Sequence, residues 1–202
     1  MDGGILPNLS GGTMTPWFVL SYPRSRTAWL SVFLTGAGVP CFHEAWGQVT
    51  TVKQLRTLME SKGDGPVVNS DCSNVFFFDD LQAEFPDAHY VRLDHSQTEI
   101  QASLLQSYGL YNYQPTMDAY QRAFQHVEST GMTVDGIVDC AAWDESVSAG
   151  LYRMMTGHEV EARWLTQITG MLIQLMPETI NRQLKQGRQG AFTHITRRMV
   201  SA

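Results

Sequence analysis

Apolar and polar positions along this chain switch between two periods. Trp17–Ser21 is a short unbroken apolar run that stops just short of a proline, the pattern of a strand buried on both faces. Thr27–Thr35 changes period: Trp29, Leu30, Phe33 and Leu34 recur at helical spacing, and Gly36 and Gly38 close the segment. Gly63–Pro66 reads as a turn and Pro66–Asn69 as a second strand. Val75–Phe85 suits a helix that ends before Pro86-Asp87, and His89–Leu93 a third strand. Thr98–Tyr108 suits a helix with Ile100, Leu104 and Leu105 on one side and Gly109 after it. Thr116–Ser129 is predicted helical, with Ala119, Tyr120, Ala123, Phe124 and Val127 as its apolar face. Thr133–Val138 fits a fourth strand. Asp144–Thr156 and Glu159–Leu175 read as two helices split by Gly157, and Pro177 opens another that runs to about Gln186.

Strands alternating with helices imply βαβ units, and such units build a parallel sheet covered on both faces. The fold class expected is therefore α/β: a single domain, three layers deep, with a mostly parallel central sheet and a helical C-terminal portion. Its bounds are 17–202. Residues 1–16, MDGGILPNLSGGTMTP, form a lead-in without the basic region and apolar core of a secretory signal.

Composition narrows the class. The 202 residues suffice for one domain with a sizeable core. Hydrophobic content of 43% and five Trp argue against disorder. No apolar run is long enough to span a bilayer, so no membrane association is expected. Cys41, Cys72 and Cys140 are odd in number, far apart and without metal spacing. Reduced thiols in a cytoplasm account for them, and no metal is expected. The net charge of −6 argues against nucleic acid as a partner. The charge is uneven. Arg182, Lys185, Arg188, Arg197 and Arg198 lie in a tail without acids, leaving nine basic against 20 acidic residues elsewhere. Such a tail is either a solvated basic face or a contact for an anion.

The chemistry starts at Pro23–Thr27, between the first strand and the first helix. In an open parallel sheet, ligands sit at the carboxyl ends of the strands, where helix N-termini offer free N–H groups and partial positive charge. Ser25 or Thr27 can cap the helix or donate a hydroxyl, and Arg24 and Arg26 supply forked, charge-assisted donors. The G-x-x-x-x-G-K-[ST] pattern of an ordinary ATP or GTP loop is missing.

Y-P-R-S-R-T-A-W-L at 22–30 resembles the 5′-phosphosulfate loop of sulfotransferases, commonly Y-P-[KR]-S-G-T-T-W-L. F-P-D-A-H-Y-V-R-L-D-H-S-Q-T-E-I-Q-A-S-L at 85–104 resembles their second motif, a strand followed by R-D-P and, one short helical run later, A-S-L. The likeness covers 17–104 and is thin beyond it, where L-Y-R-M-M-T-G-H-E-V-E-A-R-W at 151–164 is loosely similar to a late helix–Gly–helix region of bacterial members. It implies a P-loop NTPase-like fold and a sulfuryl donor, 3′-phosphoadenosine 5′-phosphosulfate (PAPS). It also implies site residues: Arg24 for the basic group that stabilises the transferring sulfuryl, Ser25 and Thr27 for the hydroxyls, Ala28 in place of a second Thr, and Trp29 for the motif's Trp. Ser103 carries over from the second motif as a 3′-phosphate contact. Two positions depart from the pattern. Arg26 stands where the family has Gly, and His95, a weaker and pH-dependent phosphate partner, stands where it has Arg. Arg92, three residues earlier on a strand, points to the opposite face from His95.

A sulfotransferase needs a base for the acceptor's proton. GVPCFHEAW at 38–46 follows the first helix, near where bacterial members carry an acidic catalytic residue. Glu44 with His43 as orienting partner, His43 itself, or an ordinary polar turn all fit. Asp71 in NSDC reads as a helix cap or an acceptor-site group, and a family lysine is missing there. Asp144 in WDES reads as a cap with Trp143 packing beside it. KQGRQGAF at 185–192 fits either a helix end or a partial match to the family's G-x-x-G loop.

The function expected is an enzyme moving a sulfuryl group from PAPS to a hydroxyl or amine of a small-molecule or saccharide acceptor. The rivals are a catalytically altered relative serving as a binding or assembly module of a phage or bacterial complex, for which a homo-oligomer is expected, and an atypical nucleotide or small-molecule kinase.

Overall fold

Trp17 and Phe18 leave opposite faces of one strand, and each starts its own core. The computed structural model describes residues 13–108 and 114–169. In it β1 (Met14–Ser21), β2 (Cys41–His43), β3 (Gly65–Ser70), β4 (His89–Asp94) and β5 (Gly136–Asp139) form one sheet in the order β2-β3-β1-β4-β5. Every neighbouring pair in it runs parallel. Trp17 and Val19 face α1 (Thr27–Gly36), α6 (Glu145–Thr156) and α7 (Ala162–Thr169), packing with Leu30, Phe33, Leu151 and Ile168. Phe18 and Leu20 face α2 (Val52–Glu60), α3 (Phe78–Glu84) and α5 (Gln114–Ser129), packing with Leu55, Met59, Phe78 and Phe124. Helices on both faces give the three-layer α/β architecture that the apolar runs predict. Each fully buried large side chain contributes about 1.5–3 kcal/mol. Phe33→Ala, at 0% exposure, would cost about 3–5 kcal/mol.

β1 begins three residues before its apolar run, within the expected lead-in, because Met14, Thr15 and Pro16 pair with Gly65, Pro66 and Val67 of β3. Proline is tolerated there because pairing with β4 starts only at Trp17. The helix expected over Val75–Phe85 is two pieces, a 3₁₀ stretch over Cys72–Phe77 and then α3. Asp71 caps the tight turn by accepting from the Ser73 N–H at 2.9 Å. The fourth expected strand is β5, which starts at Gly136. β2 and α2 lie in a segment where no element was predicted. The helix expected from Glu159 starts at Ala162. Its part beyond Thr169, the one after Pro177, most of the lead-in and the basic tail lie outside the described residues. No helix among the described residues is long and apolar enough to cross a membrane.

Candidate functional site

Because all five strands are parallel, their carboxyl ends share one edge. The chain leaves β1 toward β2 on one side and leaves β4 toward β5 on the other. Connections that diverge in this way open a crevice between β1 and β4, the place where such sheets take ligands. The loop at 22–26 rises from one side of the crevice, and His95 and α4 (Gln97–Tyr108) from the other.

Arg24 (φ 67°) and Arg26 (φ 58°) are both left-handed. Position 26 therefore has the backbone that the resemblance fills with glycine, held here by an arginine at about 1–2 kcal/mol of strain. Its guanidinium lies 5.8 Å from the Trp143 ring centre, an outlet for the side chain that the left-handed turn creates. Ser25 and Thr27 do not cap α1. The N-cap is Arg26, which offers no acceptor, so the first-turn amides have no side-chain cap. Ser25 is wholly buried, and its Oγ has no hydrogen-bond partner among the described residues; the same holds for Ser21 at the end of β1. An unmet buried hydroxyl costs about 1–3 kcal/mol, and these two lie beside a helix start whose N-cap side chain makes no hydrogen bond.

Across the crevice, Arg24 Nε donates to Ser103 Oγ at 2.9 Å, joining positions 79 residues apart. The two segments that carry the family resemblance thus meet in space. Ala28 is half-buried, and its carbonyl accepts from the Ser31 hydroxyl. Trp29 is 4% exposed and stacks on Phe33, so its ring belongs to the core. His95 is less provided for. Its Nε2 is 3.3 Å from Glu99 Oε2, and its buried Nδ1 has no partner among the described residues. Arg92 donates to Asp94 and to Glu128 and covers the Phe124 ring, on the α5 side of the sheet.

His43 ends the edge strand β2, and Glu44 follows it at the start of a 3₁₀ turn. His43 pairs with Ser70 in register, and its Nδ1 lies 3.1 Å from the Ser70 carbonyl oxygen. The Ser70 hydroxyl in turn donates to the Thr27 carbonyl at 3.0 Å. Side chain and backbone of one β3 residue therefore tie the β2 end to the first residue of α1. Glu44 Oε1 is 3.7 Å from His43 Nε2, and Glu44 is left-handed, with φ 55°. Asp71 is a structural cap. Its two oxygens accept from the Ser73 and Trp46 amides, and burial raises its pKa, partly countered by those bonds and by His43. Trp46 also donates to Asn74, which holds the β1 and β3 backbones together through Val19 and Asn69.

Asp144 caps α6 by accepting from the Val147 amide at 2.8 Å, and Trp143 donates to Ser148. Burial pushes the thiols of Cys72 and Cys140 up to about 12, so neither is a nucleophile near neutrality. Among the described residues no group of three His, Cys, Asp or Glu side chains could hold a metal ion. Sequence reasoning missed Ser70, whose two roles depend on strand register, and Asn74, whose partners lie on two strands. No protein-family model matches the chain, and no curated protein matches it significantly.

Proposed function

We propose that this protein is a sulfotransferase-like enzyme that binds PAPS across the β1–β4 crevice and transfers its sulfuryl group to a hydroxyl or amine. The observation that carries the reading is the Arg24–Ser103 hydrogen bond, because it brings the loop and the A-S-L segment to one point at the switch of the sheet. The buried unmet hydroxyl of Ser25 and the uncapped start of α1 fit a tetrahedral oxyanion. Arg24, Ser25 and the amides of Thr27 and Ala28 would hold the phosphosulfate end, with Arg26 at the rim. Ser103 and His95 would face the 3′-phosphate. The bound donor supplies an activated sulfuryl group. The protein's part is to position it and to stabilise the charge that develops. Titration calorimetry of the full chain with adenosine 3′,5′-bisphosphate tests this: micromolar binding is expected, and no binding at millimolar ligand overturns it.

The surroundings of His95 favour a second reading, a fold that retains the crevice as a binding module. A carboxylate beside the His95 imidazole opposes a phosphate, and Arg92 is engaged elsewhere. On that reading the chain self-associates without nucleotide, and light scattering with and without the bisphosphate separates the two.

A further inference from the structure

We propose that the outer edge of β5 is a docking site for an extended segment of another protein, one in which an apolar side chain has Lys or Arg two residues away on each side. β5 ends the sheet, and among the described residues no strand pairs with its outer side. An edge strand offers every second N–H and C=O to an added strand, and natural edges are guarded by lysine, proline or a bulge. The opposite edge carries such a guard: Lys62 Nζ lies 5.4 Å from the ring centre of Phe42 in β2. Residues 133–139 contain neither lysine nor proline. One face of this stretch is open. Thr133, Asp135, Ile137 and Asp139 are exposed, while Val134, Gly136 and Val138 between them are half-buried. Ile137 is 63% exposed, the most of any large apolar side chain among the described residues. It pairs with Arg92 and so shares the α5 side of the sheet, where Arg92 covers the Phe124 ring. A strand laid along β5 would take from water an apolar side chain that the fold leaves wet.

Charge decides what can cover it. Asp135 and Asp139 flank Ile137 on the same face of β5, Asp94 lies beside Asp139 on β4, and Glu128 reaches in from α5. Arg92 donates to Asp94 and Glu128, His89 Nδ1 lies 2.9 Å from Asp135, and Asp139 accepts from the Ala141 amide. Four carboxylates thus share one guanidinium and one imidazole, and the face is acidic. A second copy of the chain is a poor occupant. Antiparallel pairing that sets Ile137 against Ile137 puts Asp135 opposite Asp139 on both sides, and like charges directly opposite destabilise. A strand with an apolar residue between two cations reverses the sign: each cation meets a carboxylate while the apolar side chain covers Ile137. The same acids that turn a copy away select this class of strand.

Two measurements on the full chain test this. The first follows the fluorescence anisotropy of a labelled peptide, T-R-V-I-V-R-T, whose Arg, Ile and Arg share one face when it is extended. Saturable binding is expected, weaker at higher salt and about tenfold or more weaker in Ile137→Lys. Asp139→Asn keeps the acceptor for Ala141 while removing one charge, so it should fold and weaken binding a few fold. The peptide with Glu in place of both Arg should not bind, and the reordered peptide V-R-R-T-I-V-T should bind more weakly. The second measurement is amide hydrogen exchange, in which the peptide should slow exchange along β5. Equal binding by the native protein and both variants, equal binding of the reordered peptide, or protection confined to other elements overturns the proposal. A native dimer that Ile137→Lys dissociates gives the edge to a second copy and overturns it as well.

Discussion

Arg24 and Ser103 meet at 2.9 Å, one on the loop after β1 and the other on α4, so a charge-assisted hydrogen bond bridges the crevice. Ser103→Ala should cost about 0.5–1.5 kcal/mol of stability by denaturant titration. The same change should weaken adenosine 3′,5′-bisphosphate binding about fivefold by calorimetry. Loss of stability without loss of affinity would make the bond purely structural.

Arg26→Gly sets two effects against each other. Removing left-handed strain returns about 1–2 kcal/mol, while the extra freedom of an unfolded glycine takes back about 0.5–1 and the lost contact with Trp143 about 0.5. The net lies between about −0.5 and +1 kcal/mol and centres on a small gain, measured by thermal unfolding. Because the guanidinium lies over Trp143, bisphosphate affinity should fall no more than a few fold.

Glu99→Gln removes the carboxylate 3.3 Å from His95 Nε2. The Glu99 carboxylate is exposed, so screening limits the effect. Affinity for adenosine 3′,5′-bisphosphate should rise about three- to tenfold near neutral pH, while affinity for adenosine 5′-monophosphate stays the same. An equal gain for both ligands would remove His95 from the 3′-phosphate site.

Burial raises the Asp71 pKa above its ordinary 3.8. An acid whose pKa is higher in the folded state binds its proton more tightly there. Its share of stability is therefore fully present below pH 3.8 and is lost as pH rises through the folded pKa. In Asp71→Asn that decline should disappear from a plot of unfolding free energy against pH. The variant should also be weaker at low pH, because an amide can accept from only one of the Ser73 and Trp46 amides.

The parts legible in the sequence are those whose burial is carried by long apolar periods. β1, β4, α1 and α6 each show a full repeat, and the caps at Asp71 and Asp144 announce themselves by residue type. β2 does not, since three residues give no period and their partners are fixed only by pairing with β3. α2 carried a signal that could have been read: Val52, Leu55 and Met59 at helical spacing behind Thr51, whose side chain accepts from the Gln54 amide. Within the site, residue types could be read off but relationships could not. Nothing in the chain shows that Ser70 lies between His43 and Thr27, or that Arg24 reaches Ser103.

Among the described residues, the non-glycine positions with left-handed backbone are Arg24, Arg26 and Glu44, all at the carboxyl edge of the sheet. Every arginine codon is a single base away from a glycine codon, so the strain at 26 is within one mutational step of relief. Laboratory selection for thermal tolerance alone would reach Arg26→Gly early. A selection that also demanded whatever the guanidinium does above Trp143 would return to arginine, and the outcome of such an experiment would measure how much that side chain matters to fitness.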